Sequence, residues 1–466
     1  MLEIKAGERY AIQKFTFGEP ISFPQFRLTV AEPGESGCMK VSMELLALMT
    51  VANCGVRGGH YSAGAVLELV FDPSGNAFAY AYDTRGEEFR FRIMSTDTLL
   101  DRFSGCILGG AVGDALGYAV EFERYDDIIE LYGEDGIRNF SLENGKALIS
   151  DDTQMTLFTM EGLSSGIFRA DSKGVGAAAE TYVNWAYCDW YVTQAGREDY
   201  SPFTPIFADR RLHEWRAPGN TCLQALGAQF ENSAFVPYST RYGTLGKPVN
   251  DSKGCGAVMR AAPVGLMLSS NNYKGESAAL VAAKTGAITH GHTLGWLPAA
   301  FLASLVHGMI YPLDSAEYCA HDLPFASYVM HKLDMFKAEF AKTPHIDEFA
   351  ALCSYALKLA RFGEDFDVEQ IHSIGGGWVG DEALAIALYA AAKYENDFDA
   401  AICCAVNHSG DSDSTGSIAG NILGAYHGLA NIMRGSRFDL EQLELCDLMR
   451  ESCKRAVQAA FLQVIR

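Results

Sequence analysis

Residues 101–122, DRFSGCILGGAVGDALGYAVEF, decide the fold: a long apolar stretch whose large side chains recur at helical intervals. Within it, GCILGGAVGDALG (105–117) is rich in glycine, where small side chains let a neighbouring backbone approach closely. The same reading extends C-terminally through QMTLFTMEGLSSGIF (154–168), GVGAAAETYVNWAYCDWYV (174–192), LGWLPAAFLASLVHGMI (294–310), DEALAIALYAAAKY (381–394) and FDAAICCAVNHSG (398–410). Alanine and other helix formers dominate these segments and β-branched runs are scarce. Residues 99–466 are therefore expected to fold as a large all-α helical bundle.

N-terminal to residue 99 the pattern changes. GAVLELVFD (64–72), AFAYAYD (77–83) and EFRFRIM (88–94) alternate apolar and polar positions, and DPSGN and DTRGEE between them supply turn chemistry. A β-meander is expected there, with a helix over VSMELLALMTVANC (41–54), so residues 1–98 form a small β-rich or α+β accessory domain.

The chain has 466 residues, 48% of them hydrophobic and 20% charged, enough to bury a large core and too apolar for disorder. Its net charge of −21 repels a phosphate backbone, which excludes nonspecific nucleic-acid binding and suits recruitment of cations or of a basic protein. No apolar run long enough to span a bilayer stands out, and the start MLEIKAGERYAIQKF lacks the pattern of a secretory signal, so no membrane association and a cytoplasmic location are expected. None of the twelve cysteines falls in a CxxC pair, which argues for packing thiols over structural zinc or a disulfide framework.

Two acidic clusters carry the chemistry. Ser150-Asp151-Asp152-Thr153 immediately precedes the helical run QMTLFTMEGL, and Asp411-Ser412-Asp413-Ser414 precedes the small-residue run SIAGNILGAYHG. Each alone reads as an ordinary helix N-cap. Capping needs one such side chain, however, and two carboxylates at both helix starts are an excess that requires compensation. Neither cluster holds the Cys or His that would suit zinc, so hard divalent cations with oxygen ligands are the natural counterions. If both clusters meet with one further acid, five carboxylates face two ions carrying four positive charges. An EF-hand reading of DSDSTG fails, because the position-12 glutamate is Ile422 here.

With these clusters in their setting, residues 103–435 resemble the ADP-ribosylglycohydrolases. The resemblance runs through six ordered segments: GCILGGAVGDALGYAVEF (105–122), ISDDTQMTLFTMEGL (149–163), RAPGNTCL (216–223), SKGCGAVMRAAPVGL (252–266), ITHGH (288–292) with GGGWVGDEALAIALY (375–389), and NHSGDSDSTGSIAGNILGAYHG (407–428). It implies an orthogonal helical bundle of that family's type and a binuclear Mg²⁺ or Mn²⁺ centre. Ser150, Asp151, Asp152, Asp411, Asp413 and Ser414 match the metal ligands, Asp413 as the bridge, and Glu121, seven residues beyond Asp114, matches the family's mobile glutamate. Gly254, Cys255, Gly256 and Met259 fall in the backbone cradle for a pyrophosphate, a task glycine-rich segments perform through exposed N–H groups. Asn220, His290 and Trp378 fall at substrate-contacting positions, though taken alone His290 reads equally as an interior group, while Trp378 reads first as core and Gly254 and Gly256 as turn formers. Two departures stand out: Ser414 replaces the family's usual Thr, and Thr293 follows His292 where proline is common.

The activity implied is removal of ADP-ribose from a modified acceptor, ADP-ribosylarginine on protein first, by a metal-activated water at the ribose anomeric carbon, with Glu121 and Asp151 as the proton-transferring groups. A reading of a different class makes the chain an immunity protein that neutralises an ADP-ribosylating toxin through residues 1–98, its acidic surface meeting a basic partner.

Overall fold

A computed structural model describes the side chains of residues 98–174, 176–197, 200–230, 242–267, 276–311, 323–363 and 367–460, together with the backbone of seven N-terminal strands and of the helix ends at 96–97 and 461–464. The strands form two antiparallel sheets. In the first, β4 (Cys38–Thr50) lies between β1 (Leu2–Lys5) and β3 (Ser22–Pro33). In the second, the order is β2 (Arg9–Lys14), β5 (Val66–Phe71), β6 (Ala77–Tyr82) and β7 (Glu88–Ile93). The expected meander is β5 to β7; its turns at 72–76 and 83–87 lie outside the described residues. The helix expected at 41–54 is instead strand β4 as far as Thr50, and 51–54 lie outside the described residues. β1 pairs only with Cys38–Val41, so most of this mainly apolar run is bonded to β3 alone, and periodicity alone cannot separate such a strand from a helix.

From Thr96 onward the chain is helical. The order is α1 (Thr96–Tyr118), α2 (Tyr125–Tyr132), the short hairpin β8 (Leu142–Glu143) and β9 (Lys146–Ala147), α3 (Asp151–Lys173), α4 (Ala179–Ala195), α5 (Asn220–Gly227), α6 (Ala262–Met267), α7 (Ala278–Gly286) and α8 (Thr293–Ile310). It continues with α9 (Phe325–Glu339), α10 (Ile346–Phe362), α11 (Asp367–Ile374), α12 (Gly380–Lys393), α13 (Phe398–Val406), α14 (Ser412–His427), α15 (Leu429–Ile432) and α16 (Cys446–Val464). One apolar core runs through these helices. The uncharged α8 is long and apolar enough to cross a bilayer, which corrects the expectation from sequence; here 89% of it is buried among other helices, as suits a core helix. Among the described residues the nine cysteines are free thiols.

The pairing of α1 with α14 positions the site. Gly105, Gly109, Gly113 and Gly117 form a stripe along α1, since residues four apart share a helix face. A Cβ on each would lie 2.4, 2.7, 2.0 and 2.2 Å from the backbone oxygens of Gly424, Gly420, Gly416 and Ser412, respectively. The helices thus run antiparallel in backbone contact, and Asn421 Nδ2 pins them by donating to Cys106 O at 2.8 Å. This register sets the C-terminal end of α1, with Asp114 in it and Glu121 just beyond it, against the N-terminus of α14.

Candidate active site

The first acidic cluster is a doubly capped helix start. Ser150 Oγ accepts from Asp152 N at 3.2 Å, the expected N-cap bond. Fully buried Asp114 caps the same turn from α1, accepting from Ser150 N at 2.9 Å, from Thr153 N at 3.1 Å and from the Thr153 hydroxyl. Asp151 is fastened to the RAPGN loop: its N–H donates to Arg216 O at 2.9 Å and its Oδ2 accepts from Gly219 N at 3.0 Å. Arg216 is anchored by Glu444 at 2.7 Å.

The second cluster is built the same way. Asp411 Oδ1 accepts from Ser414 N at 3.3 Å and Asp413 Oδ1 from the same N–H at 2.8 Å. Asp411 N donates to Gly376 O at 2.9 Å, and Gly377 at φ +80° lets the 375–377 turn pass against Asp411. The 252–257 loop closes this side, for Cys255 Sγ donates to Asp411 Oδ2 at 2.8 Å. Cys255 N donates to Trp378 O at 3.3 Å and Gly380 N to Lys253 O at 2.9 Å, so this loop and the Trp378 turn are bonded to each other.

The two clusters, some 260 positions apart in sequence, face one another. Ser414 lies close enough to Asp152, and Asp413 to Glu121, to act on the ionisation of those carboxyls. Burial, then Asp411, Asp151 and Asp114, pushes Glu121 up to about 8. Burial raises Asp151 to about 7 against the hydrogen bond from Gly219, with Asp114 and Asp411 adding to the rise, while Asp114 itself stands at about 6 through burial. Asp152 and Asp413 are held well above the usual carboxylate range by burial and by neighbouring carboxylates. Two buried oxygens, Glu121 Oε2 and Asp152 Oδ2, have no hydrogen-bond partner.

At the rim, Phe122 and Trp378 stack with ring centroids 6.1 Å apart and planes 23° apart, Phe122 being 71% and Trp378 47% exposed. Gly254 and Gly256 flank Cys255, and a Cβ on them would meet His290 Nε2 at 3.4 and 3.2 Å. Asn220 opens α5 next to Gly219, on the loop that holds Asp151. Met259 is buried beneath the loop, where its carbonyl accepts from Thr156, so its side chain packs in the core.

A family model described as ADP-ribosylglycohydrolase matches residues 95–463. The chain belongs to the ADP-ribosylglycohydrolase family. It is 25% identical over 356 residues to the ADP-ribosyl-[dinitrogen reductase] glycohydrolase of Rhodospirillum rubrum, covering 75% of this chain and 94% of that one. It is 26% identical over 335 residues to a protein of Archaeoglobus fulgidus, covering 70% and 87% of the two chains. It is also 24% identical over 224 residues to an ADP-ribosylhydrolase of Mus musculus, covering 44% and 58%. A solved ADP-ribosylglycohydrolase-related protein complex aligns with a TM-score of 0.49 at 21% identity, over 78% of this chain and 99% of that chain.

Three residues of this ADP-ribosylglycohydrolase site escaped the reading of its sequence. Asp114 served there only as a spacing mark, yet it caps the helix that presents Asp151 and Asp152; a carboxylate inside an apolar helix is the signal that finds it. Phe122 reads as one more apolar residue. Arg260 is a fully buried cation inside the apolar segment AVMRAAPV, and that incongruity was its only sign.

Proposed function

We propose that this ADP-ribosylglycohydrolase releases ADP-ribose from modified protein side chains, ADP-ribosylarginine first, using two divalent cations, Mg²⁺ or Mn²⁺. The observation that carries the reading is the meeting of two carboxylate-bearing helix N-termini with Glu121 in one buried site. Ser150, Asp151, Asp152, Asp411, Asp413 and Ser414 would hold the ions. The donor set fits: all are oxygens, one buried carboxylate oxygen lacks a partner, and burial together with the neighbouring carboxylates raises these acids, a cost that bound cations would offset. Among the described residues no three His, Cys, Asp or Glu side chains already stand at ligand spacing about one point, so side-chain rotation must close the shell.

When bound, the cations would orient the ribose hydroxyls and make a water nucleophilic near neutral pH. The remaining steps belong to the chain. Glu121, three residues beyond α1, would be returned to its carboxylate form by the positive charge of bound cations and would then take the proton of the attacking water as its oxygen bonds to the anomeric carbon. The carbon–nitrogen bond to the acceptor breaks, and the proton passes to the leaving guanidine. Asp151, tied to the Gly219 N–H, is the second carboxyl at that position. Trp378 and Phe122 offer flat surface at the rim for the rest of the ligand. The pyrophosphate cradle is narrower than SKGCGAVMR suggests, because Gly254 N–H is engaged by Ser252 Oγ at 3.3 Å and Cys255 N–H by Trp378 O.

Mass-spectrometric assay of the purified chain with Mg²⁺ or Mn²⁺, against proteins ADP-ribosylated on arginine and on serine, tests the activity and the acceptor. Release from arginine is expected; no release from either linkage with either ion would sink the proposal. Asp413→Ala is expected to abolish turnover and the thermal stabilisation by Mn²⁺ together. A variant that kept both would remove the ions from this site.

A further inference from the structure

Arg260 is 1% exposed, and none of the partners that hold it is a carboxylate. Its Nη1 lies 3.0 Å from both Met155 Sδ and Cys222 Sγ, its guanidinium sits 4.2 Å from the Tyr187 ring centroid, and its Nη2 donates to Thr289 Oγ1 at 2.6 Å. Beyond Thr289 the chain continues, since Thr289 Oγ1 lies 2.9 Å from His290 Nδ1. Backbone bonds fix both residues: the N–H groups of Thr289 and His290 donate to Gly286 O at 3.2 and 3.1 Å, and Asn250 Nδ2 donates to Thr289 O at 2.8 Å.

Hydrogen-bond direction along this row is forced from one end. A guanidinium has donors and no acceptor, so the Thr289 hydroxyl must accept from Arg260. That leaves Thr289 one proton to give, and it has two neighbours able to take it: His290 Nδ1 and Cys222 Sγ, with which it also makes contact. Thiol sulfur is a weak acceptor and an imidazole nitrogen a strong one, so the proton goes to Nδ1. The neutral ring must then carry its own proton on Nε2. Burial and the nearby Arg260 charge both oppose a second ring proton.

Nε2 is the edge of the ring that meets the 254–256 loop. A Cβ at 256 would stand 3.0 Å from His290 Cε1 and 3.2 Å from Nε2, tighter than ordinary contact, while one at 254 would meet Nε2 at an ordinary 3.4 Å, so the imidazole packs directly against this loop. The same loop is bonded through Cys255 to Asp411 in the acidic cluster. We propose that Arg260 and Thr289 are positioning residues that lock His290 as a neutral Nε2–H donor to an anionic oxygen of the ligand at the Gly254–Gly256 loop. Such a donor serves a phosphate oxygen without adding charge, and it stays a donor through the physiological pH range. Only the identity of that ligand, the diphosphate of ADP-ribose, rests on the proposed function; the tautomer does not.

The test is ¹⁵N NMR of the full-length protein with Mg²⁺, labelled on histidine, with the His290 signals identified by their loss in His290→Asn. The expected spectrum at pH 6.5 has a protonated Nε2 and an unprotonated Nδ1, in free protein and with ADP-ribose added. A protonated Nδ1, or a doubly protonated ring, overturns the lock, and this wild-type measurement needs no variant to fold. Thr289→Val is expected to give mixed tautomers and about tenfold weaker ADP-ribose binding by calorimetry, the scale of one hydrogen bond to a charged group, while Thr289→Ser restores both. Unchanged tautomer and affinity in Thr289→Val would refute the positioning role. Failure of the wild type to bind ADP-ribose, with the tautomer as stated, would reject the functional reading and leave the lock standing.

Discussion

Gly117→Ala and Gly105→Ala perturb the two ends of one helix pair and should separate stability from function. A Cβ at 117 would lie 2.2 Å from Ser412 O and 2.5 Å from Asp413 N; at 105 it would lie 2.4 Å from Gly424 O and 2.7 Å from Leu429 N. Ordinary contact begins near 3.4 Å, so α1 and α14 must part by about 1 Å at either end, and both obstacles are backbone that no rotamer change can move. Overpacking of this kind costs about 3 kcal/mol at the upper end of its usual range. Alanine returns about 1 kcal/mol of helix propensity, leaving a net loss of about 2 kcal/mol in each variant. For a unit this large that lowers Tm by roughly 3 °C. Activity should differ. Gly117 faces the turn that carries Asp413, and a displacement of about 1 Å there is expected to lower kcat by about a hundredfold. Gly105 lies three turns away and should leave kcat within about twofold, as for a stability change remote from the chemistry. Thermal denaturation and steady-state release of ADP-ribose, measured on both variants, decide it. Wild-type turnover in Gly117→Ala, or equal losses of turnover in both, would refute the claim that the glycine stripe sets the geometry of the carboxylates.

Buried His408, hydrogen-bonded to Thr415 at 3.0 Å, is pushed down to about 4 by burial. Its depressed value means that the unfolded chain binds more protons between about pH 6.5 and 4, so its contribution is intact above 6.5 and lost as pH falls, by about 3 kcal/mol at the lower limit. The raised site carboxyls impose the opposite slope, so the comparison is urea unfolding of wild type and His408→Asn at pH 5 and 7; an unchanged pH slope in the variant rejects the assignment. Trp378→Ala should raise KM by about tenfold with kcat nearly constant, as loss of a stacking surface that binds substrate and transition state alike. A fall in kcat alone would place Trp378 in the chemistry instead. Removal of residues 1–94, which precede the matched family region, should leave hydrolysis within about twofold if the helical unit has its own core. Loss of soluble, folded protein would show that the strands complete that core.

What the sequence disclosed and what it hid follow from how local each signal is. Helices such as α1, α3, α4, α8 and α12 were legible because apolar periodicity and alanine content act within one segment, and the meander because alternation does the same, while α9, α10, α11 and α16 were not picked out one by one. The 41–54 segment misleads because VSMELLALMT suits a helix and a strand alike, and the deciding partner, β3, is a separate segment. In the site, an excess of carboxylates at two helix starts was visible as local chemistry, but their meeting depends on the glycine register between α1 and α14, which is a relation between surfaces 300 positions apart. The same distinction explains Asp114 and Arg260. Each is a charge inside an apolar helix or loop, a local conflict that sequence shows plainly, yet its resolution lies elsewhere: Asp114 in the N–H groups of α3, Arg260 in Thr289 and two sulfurs. A buried charge in an apolar run is therefore a pointer toward a site even when its partners cannot be read. Here both pointers lead to the same cluster, since Asp114 and Arg260 each act electrostatically on Asp151, one raising its pKa and the other lowering it.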